Sequence, residues 1–331
     1  MENTRTIMKE CMDTGKPLIS ILMAVYNPDL EWFSQQLESL EAQDYPNLEL
    51  RILDDCSPDV SFQEIQQSIK SNVRKIPYFL DRNSQNLGSN RVFEKLTLAA
   101  KGQYIAYCDQ DDIWFPKKLS YLEKQLVKDR AVLICSDVFV IDGAGKKIAS
   151  SITKLRKRHK FLEGYNLTDS LLFRNFVIGC TMLICAETAK AATPFVKDMV
   201  HDHWLAMYAS TQGKISVSPY RLVNYRIHAN NQTSVLAYVK SKEDYIEERI
   251  LPYVRRLQEI SKRIPDSEAL KKVMQWAQAR ESYARGDSAS AKVIWKNRNL
   301  DRKTSAFELV AWHTPSPLFR IAIRMIQRGW L

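Results

Sequence analysis

The stretch Gly102–Trp114, G-Q-Y-I-A-Y-C-D-Q-D-D-I-W, sets an apolar run, Tyr104–Cys108, directly against four polar acceptors, Asp109, Gln110, Asp111 and Asp112. A run without alternation reads as a strand buried on both faces, the kind found in a parallel sheet covered by helices. In such sheets a ligand sits beyond the carboxyl ends of the strands, which is where these acids fall. Acids after a strand also serve as turn formers or caps, and Asp112 suits a cap for the helix entered at Pro116. Clustered carboxylates repel one another unless a cation is present. The D-Q-D spacing suits a hard divalent ion, Mg2+ or Mn2+, which takes oxygen ligands and bridges to phosphates.

Outward from this stretch the same alternation recurs. Leu18 to Val25 is a second apolar run, followed by a helical stripe at Leu30, Phe33, Leu37 and Leu40. A strand over 48–53 runs into Asp54 and Asp55. Helices are predicted over 60–69, 90–100 and 117–128, and strands over 76–80 and 131–135. This order predicts an α/β domain with a largely parallel sheet. No G-x-x-x-x-G-K-[ST] loop occurs and no G-x-G-x-x-G follows the first strand, which excludes a P-loop ATPase and a classical dinucleotide enzyme. The run K-L-R-K-R-H-K at 154–160 predicts a solvated, mobile connection. Residues 175–186 are apolar around Gly179, and 214–225 again have β character.

From residue 241 onward helical patterns dominate, broken at Pro252, Pro265, Gly286, Pro315 and Pro317. The organisation expected is an extension over 1–16, a catalytic domain over 17–239 and a basic helical region over 240–331. With 331 residues, 45% of them hydrophobic and 26% charged, the chain is neither a disulfide miniprotein nor a low-complexity polymer. Six cysteines without a C-x-x-C pair read as reduced core residues. No apolar run approaches the ~18 residues that span a bilayer, and residues 1–16 lack a signal-type apolar core, so a cytoplasmic location is expected.

The net charge of +10 is concentrated at the end: from Lys271 on, twelve Lys and Arg face four Asp and Glu. Such a tail meets nucleic acid or an anionic membrane face. From Pro317 a helix would place Arg320, Arg324 and Arg328 in one stripe beside Ile321 and Met325, with Trp330 at its end, a pattern suited to an interfacial membrane helix or to packing on the core.

Several motifs carry a family likeness. P-L-I-S-I-L-M-A-V-Y-N at 17–27, L-D-D-C-S-P-D at 53–59, N-L-G at 86–88, the acidic stretch, G-C-T-M-L at 179–183, H-D-H-W at 201–204 and Y-R-I-H-A-N-N-Q at 225–232 stand in the order seen in glycosyltransferase family 2. The combination most resembles the rhamnosyltransferase-like branch that builds bacterial surface polysaccharides, and it covers roughly 17–234. The resemblance implies a GT-A fold, a nucleotide-diphospho-sugar donor, a divalent metal and an inverting displacement onto a glycan or lipid-linked glycan acceptor at the cytoplasmic face of the inner membrane.

Carried over by residue, it implies that Ala24 and Tyr26 approach the nucleoside, Asp55 contacts the base and Gly88 lies on the donor side. Asp109 and Asp111 are the D-x-D pair, with Asp111 the direct metal ligand. Asp202 is the catalytic base. His228 is a metal ligand or diphosphate contact, and Arg226 neutralises phosphate. Gly179, His203 and Trp204 lie on the acceptor side; Trp204 reads equally as a core aromatic or as an apolar sugar platform, and Trp114 reads as core. His203 stands where the family usually has an aromatic. A sugar-nucleotide pyrophosphorylase would carry a G-x-G-T-R-type loop where this chain has A-V-Y-N-P, and a nucleic-acid-binding protein would carry a groove-reading or base-stacking motif that the chain lacks.

Overall fold

Strand β1 (Ile19–Val25) lies inside a seven-stranded sheet, in parallel register with β2 (Leu48–Asp54) on one side and β4 (Tyr104–Cys108) on the other. The computed structural model describes residues 15–157, 159–228, 236 and 239–327. All residues of β1 except the half-buried Ala24 are buried, as an unalternating apolar run requires. The sheet order is β10-β6-β9-β4-β1-β2-β3, with β3 (Tyr78–Arg82), β6 (Ala131–Ser136), β9 (Leu183–Cys185) and β10 (Lys214–Ser218). Only β9 runs against its neighbours β4 and β6, so the sheet is mixed.

Helix α1 (Leu30–Glu41) begins at Asp29, whose carboxylate accepts the N–H groups of Glu31 and Trp32. Helix α2 (Phe62–Asn72) opens with a reciprocal Ser61–Glu64 capping box. Helices α3 (Ser89–Ala99) and α4 (Lys118–Asp129) complete the α/β alternation. Asp112 is not the cap of α4: Lys117 holds that position without a side-chain bond, and Asp112 instead accepts the backbone N–H of Arg226 at 2.9 Å.

A second sheet, β5-β11-β7-β8, was not foreseen. It joins β5 (Ile113–Trp114), β7 (Phe139–Ile141), β8 (Lys147–Ala149) and β11 (Val223–Arg226). Its pairing of Val223 with Trp114 carries the Y-R-I-H segment to the acidic loop. The basic run at 154–160 begins inside a short helix, Ile152–Leu155, and His159 packs edge-on against Phe161. The described cysteines are all free thiols.

The chain divides into two compact units after His228, and the short stretches Leu172–Arg174 and Val196–Met199 belong to the second, which a single boundary after residue 239 does not foresee. The second unit is helical: α6 (Leu251–Ser261), α7 (Glu268–Ala284), α8 (Ser290–Lys296), α9 (Arg302–Ala311) and α10 (Ser316–Gln327) follow a π-turn at Ile246–Ile250. On α10, Phe319 and Ile323 are buried, and Phe319 packs with Tyr245, Phe307 and Trp312. Arg320, Arg324, Leu318 and Ile321 are exposed. Arg328 and Trp330 of the expected stripe, and residues 229–232 of the Y-R-I-H-A-N-N-Q motif, lie outside the described residues. Among the described residues no helix is long and apolar enough to cross a membrane.

Candidate active site

The parallel registers Val25↔Asp54 and Met23↔Cys108 bring the ends of β1, β2 and β4 to one edge of the sheet. Three of the sequence motifs therefore meet there. Gln110 ties two of them together, accepting the Tyr26 N–H at 2.8 Å and donating to the Tyr26 carbonyl at 3.1 Å. This clamp leaves the Tyr26 ring 44% exposed at the rim. Asn27, at a left-handed φ of 42°, closes the loop by exchanging hydrogen bonds with Asp59 through Nδ2 and Oδ1.

Asp55 differs from its expected role. It is buried, and its carboxylate accepts from Asn83 Nδ2 at 2.7 Å, Leu87 N at 2.9 Å and Gly88 N at 2.8 Å. It thus shapes the N-L-G loop, in which Gly88 takes a positive φ of 81° that a side chain would strain. Asp54 is likewise structural, paired with Arg82 Nε at 3.2 Å and bonded to Ser57.

Arg226 departs from expectation in the same way. Only 1% exposed, it donates from Nε to the Asp111 carbonyl, from Nη1 to the carbonyls of Asp142 and Gly143, and from Nη2 to Gln35 Oε1, at 2.7–3.2 Å. The guanidinium braces the acidic loop from below and is committed to these acceptors, so it does not present itself to a phosphate. Two residues on, His228 Nε2 lies 2.8 Å from Asp111 Oδ2, with its ring against Trp32 at 4.9 Å. The structure brings the expected pair Asp111 and His228 together.

Beneath the loop lies an uneven charge balance. Lys118 is fully buried over the Trp114 ring and donates to the Cys180 carbonyl at 2.7 Å. Burial pulls its ammonium down to about 7 even though the surrounding acids oppose the shift. Burial, then repulsion from Asp112, Asp111 and Asp202, pushes the Asp109 carboxyl well above the usual range against the attraction of Lys118. Burial and Asp111 raise Asp112 as well. Asp109 has no hydrogen-bond donor to its carboxylate among the described residues.

Asp202 opens helix α5 (His201–Gln212). Its Oδ1 accepts from Asn175 Nδ2 and its Oδ2 from the Gly179 N–H, both at 3.0 Å. Burial raises its carboxyl to about 6 in spite of these donors. Gly179 is required by packing, because a Cβ there would come within 2.9 Å of His201 Nε2. His201 lies tilted against Phe93 with ring centroids 4.0 Å apart and is held neutral, burial lowering its pKa to about 3. His203 bonds the Leu171 carbonyl through Nε2 at 2.6 Å. Trp204 is not a sugar platform: it is wholly buried and donates Nε1–H to the Ala192 carbonyl at 2.8 Å. Trp114 is core, as expected.

The donor set was tested against a hard divalent ion. Ligand atoms of Asp109, Asp112 and Cys180 lie within 4.8 Å of one another. The Cys180 thiol is wrong for such an ion, and burial holds it protonated. The Asp112 Oδ2, buried and without a hydrogen-bond partner among the described residues, belongs to this inner end. At the outer end Asp111 Oδ2 and His228 Nε2, 2.8 Å apart, offer an oxygen and a nitrogen to an ion, and the repulsion that raises Asp109 is what a nearby cation would relieve. Gln110 was recognised within the acidic stretch but not as the clamp on Tyr26, and sequence reasoning missed Asn175, Gln35 and Lys118. Asn175 is a polar residue adjoining a recognised motif, whereas Lys118 in an amphipathic helix reads as a surface residue.

Residues 20–186 match the family model for "Glycosyl transferase family 2". The chain is 30% identical over 229 residues to the putative teichuronic acid biosynthesis glycosyltransferase TuaG of Bacillus subtilis, covering 66% of this chain and 84% of that one. It is 26% identical over 222 residues to the UDP-Glc:alpha-D-GlcNAc-diphosphoundecaprenol beta-1,3-glucosyltransferase WfgD of Escherichia coli, covering 64% and 80%. Among solved structures, S. aureus TarS 1-349 in complex with UDP-GlcNAc superposes with a TM-score of 0.61 at 16% identity, over 94% of this chain and 92% of that one. The mannosyltransferase PcManGT from Pyrobaculum calidifontis, in complex with GDP-Man and Mn2+, gives 0.52 at 14% identity, over 99% and 93%. With its motifs gathered at one sheet edge and a family match across half its length, the chain belongs to glycosyl transferase family 2: it is a glycosyltransferase of GT-A fold.

Proposed function

We propose that this glycosyltransferase moves a sugar, of the rhamnose, galactose or glucose type, from a nucleoside-diphosphate donor to a glycan or lipid-linked glycan acceptor in bacterial surface-polysaccharide synthesis (O-antigen, capsule or lipopolysaccharide). The names of TuaG and WfgD support the acceptor class, and the UDP-GlcNAc and GDP-Man bound to TarS and PcManGT support the donor class. The observation that carries the reading is Asp202, pinned by Asn175 and Gly179, raised to about 6, and close enough to Asp109 for the two charges to repel.

An acceptor hydroxyl is a weak nucleophile at neutral pH. Asp202 takes its proton as the new bond forms to the anomeric carbon from the face opposite the departing diphosphate, which inverts that centre. A carboxylate near 6 is ionised at pH 7 yet more basic than an ordinary aspartate, which suits it to this task. Asp109, Asp111 and His228 would hold a Mg2+ or Mn2+ ion, whose chemistry there would be to offset negative charge on a diphosphate. Ala24 and Tyr26 border the nucleoside, while Gly179 and His203 stand on the acceptor side. Leu318, Ile321, Arg320 and Arg324 on α10 give the chain a reversible contact with the anionic cytoplasmic face of the inner membrane.

A screen of nucleotide-sugars, following release of nucleoside diphosphate with and without Mn2+, tests the reading. Metal-dependent release from one donor, raised by a lipid-linked acceptor, is the expected result. Metal-independent phosphate release from all of them would refute it.

A further inference from the structure

Trp32 belongs to none of the sequence motifs, yet it lies against two of their residues. It stands in the first turn of α1, where Asp29 caps its N–H, and it is half-buried. Its ring centroid lies 4.9 Å from that of His228, with the planes tilted by 45°, and the Arg226 guanidinium lies 5.1 Å from the same ring. The indole Nε1–H donates to the Gly143 carbonyl at 3.0 Å, an oxygen that also accepts from Arg226 Nη1 at 3.0 Å. Gln35, one turn along the same face of α1, accepts from Arg226 Nη2 at 2.7 Å.

These contacts close into a ring. Trp32 is tied to Gly143, Gly143 to Arg226, Arg226 to the Asp111 carbonyl at 2.8 Å, and Asp111 Oδ2 to His228 Nε2 at 2.8 Å, whose imidazole returns to Trp32. His228 stands two residues past the end of β11, so pairing within that strand does not fix its side chain. The Nε2 contact holds one end of the imidazole, and the indole against its face limits the rotation that remains. The turn carrying Gly143 is fitted to the indole as well, because a Cβ there would lie 3.2 Å from Trp32 Cζ2. Trp32 offers no ligand atom of its own: its N–H is a donor only and is spent on Gly143.

We propose that Trp32 is a positioning residue for the ion site, holding the His228 imidazole beside Asp111 so that the two side chains act as a pair. The inference rests on the reading of Asp111 and His228 as ligands and adds the residue that sets their mutual placement.

The test is a titration of the full-length protein with MnCl2 alone, free Mn2+ being followed by its electron paramagnetic resonance signal. The unsubstituted chain should bind Mn2+ at a site that Asp111→Asn loses. Trp32→Leu removes the aromatic wall, and the folded variant should bind Mn2+ about tenfold more weakly, as when a partner that orients a ligating histidine is lost. Trp32→Phe keeps a ring against the imidazole and should recover most of that loss, although both variants give up the bond to Gly143. A residue serving stability alone would lower the urea midpoint and leave the Mn2+ affinity of the folded chain unchanged. Equal Mn2+ affinity in Trp32→Leu and the unsubstituted chain overturns the proposal, and so does a loss in Trp32→Phe as large as that in Trp32→Leu. Should Trp32→Leu fail to fold, Gly143→Ala carries the test: it crowds the indole without removing it and should weaken Mn2+ binding, and an affinity unchanged by it overturns the proposal. Binding that Asp111→Asn leaves intact, or no binding by the unsubstituted chain, refutes the ligand assignment itself and the proposal with it.

Discussion

In the helical unit Arg280 donates to both oxygens of Glu308, at 2.7 and 2.6 Å, and Tyr245 Oη adds a third bond at 2.9 Å, so a buried charge pair is fully answered. At the sheet edge of the other unit, Asp109 lies among Asp111, Asp112 and Asp202 with Lys118 as the buried counter-charge, and its carboxylate receives no hydrogen bond among the described residues. The first arrangement is what a fold needs to hold buried ions; in the second the carboxylates disfavour one another, and Asp109 is raised well above the usual range unless a cation binds. Where buried charge is matched, the residues serve stability, and where it is not, they serve chemistry.

Breaking each arrangement should therefore have opposite effects. Glu308→Ala strands the Arg280 guanidinium and should cost about 3–5 kcal/mol in urea unfolding. Asp109→Asn should leave stability unchanged or slightly raised, because it removes repulsion, while abolishing transfer. If the two variants destabilise alike, Asp109 is structural and the contrast fails.

Arg226→Lys comes next. Lysine cannot reproduce a fork that reaches four acceptors, so a loss of about 2 kcal/mol of stability is expected, with weaker donor binding as a consequence of a loosened acidic loop. Unchanged stability with a specific loss of donor affinity would restore the phosphate contact that the sequence suggested.

That revision shows where sequence reasoning reaches its limit. Strands β1, β4 and β6 were legible because a strand buried on both faces is a nearly continuous apolar run, β2 through Leu48, Leu50, Ile52 and Leu53, and the acids after β2 and β4 fall at a sheet edge by chain direction alone. The second sheet was not legible, since strands of two to four residues such as Ile113–Trp114 and Phe139–Ile141 are too short to show a period. Asp55, Arg226 and Trp204 were recognised as motif residues, but a motif does not say which way a side chain faces. Asn175 lies 27 residues before Asp202, and only the fold brings them together.

A smaller effect is expected from Asn175→Ala. The transfer rate should rise as pH increases through about 6 and level above it, because Asp202 must be ionised to accept a proton. Asn175 lowers that pKa by donating to the carboxylate, so its removal should move the acid limb to higher pH with little change at the plateau. A limb that stays in place would detach Asp202 from the pH dependence.

The smallest effect concerns α10. Deleting it would uncover the Phe319 contacts, so point changes are the sharper probe. Leu318→Ser with Arg320→Gln and Arg324→Gln should lower the vesicle partition constant about 30-fold, at about 1 kcal/mol per arginine, without lowering stability. Equal binding by both proteins to anionic vesicles would leave this face without a membrane role.

The division of labour within the acid cluster is tested most directly by calorimetric titration of donor in Mn2+, run beside single-turnover transfer, for Asp111→Asn and Asp202→Asn. Asp202→Asn should bind donor as the unsubstituted chain does and transfer about 100- to 10,000-fold more slowly, while Asp111→Asn should lose Mn2+-dependent binding and turnover together. Loss of donor affinity in Asp202→Asn, or near-normal turnover in Asp111→Asn, would contradict the assignment of base and metal ligand.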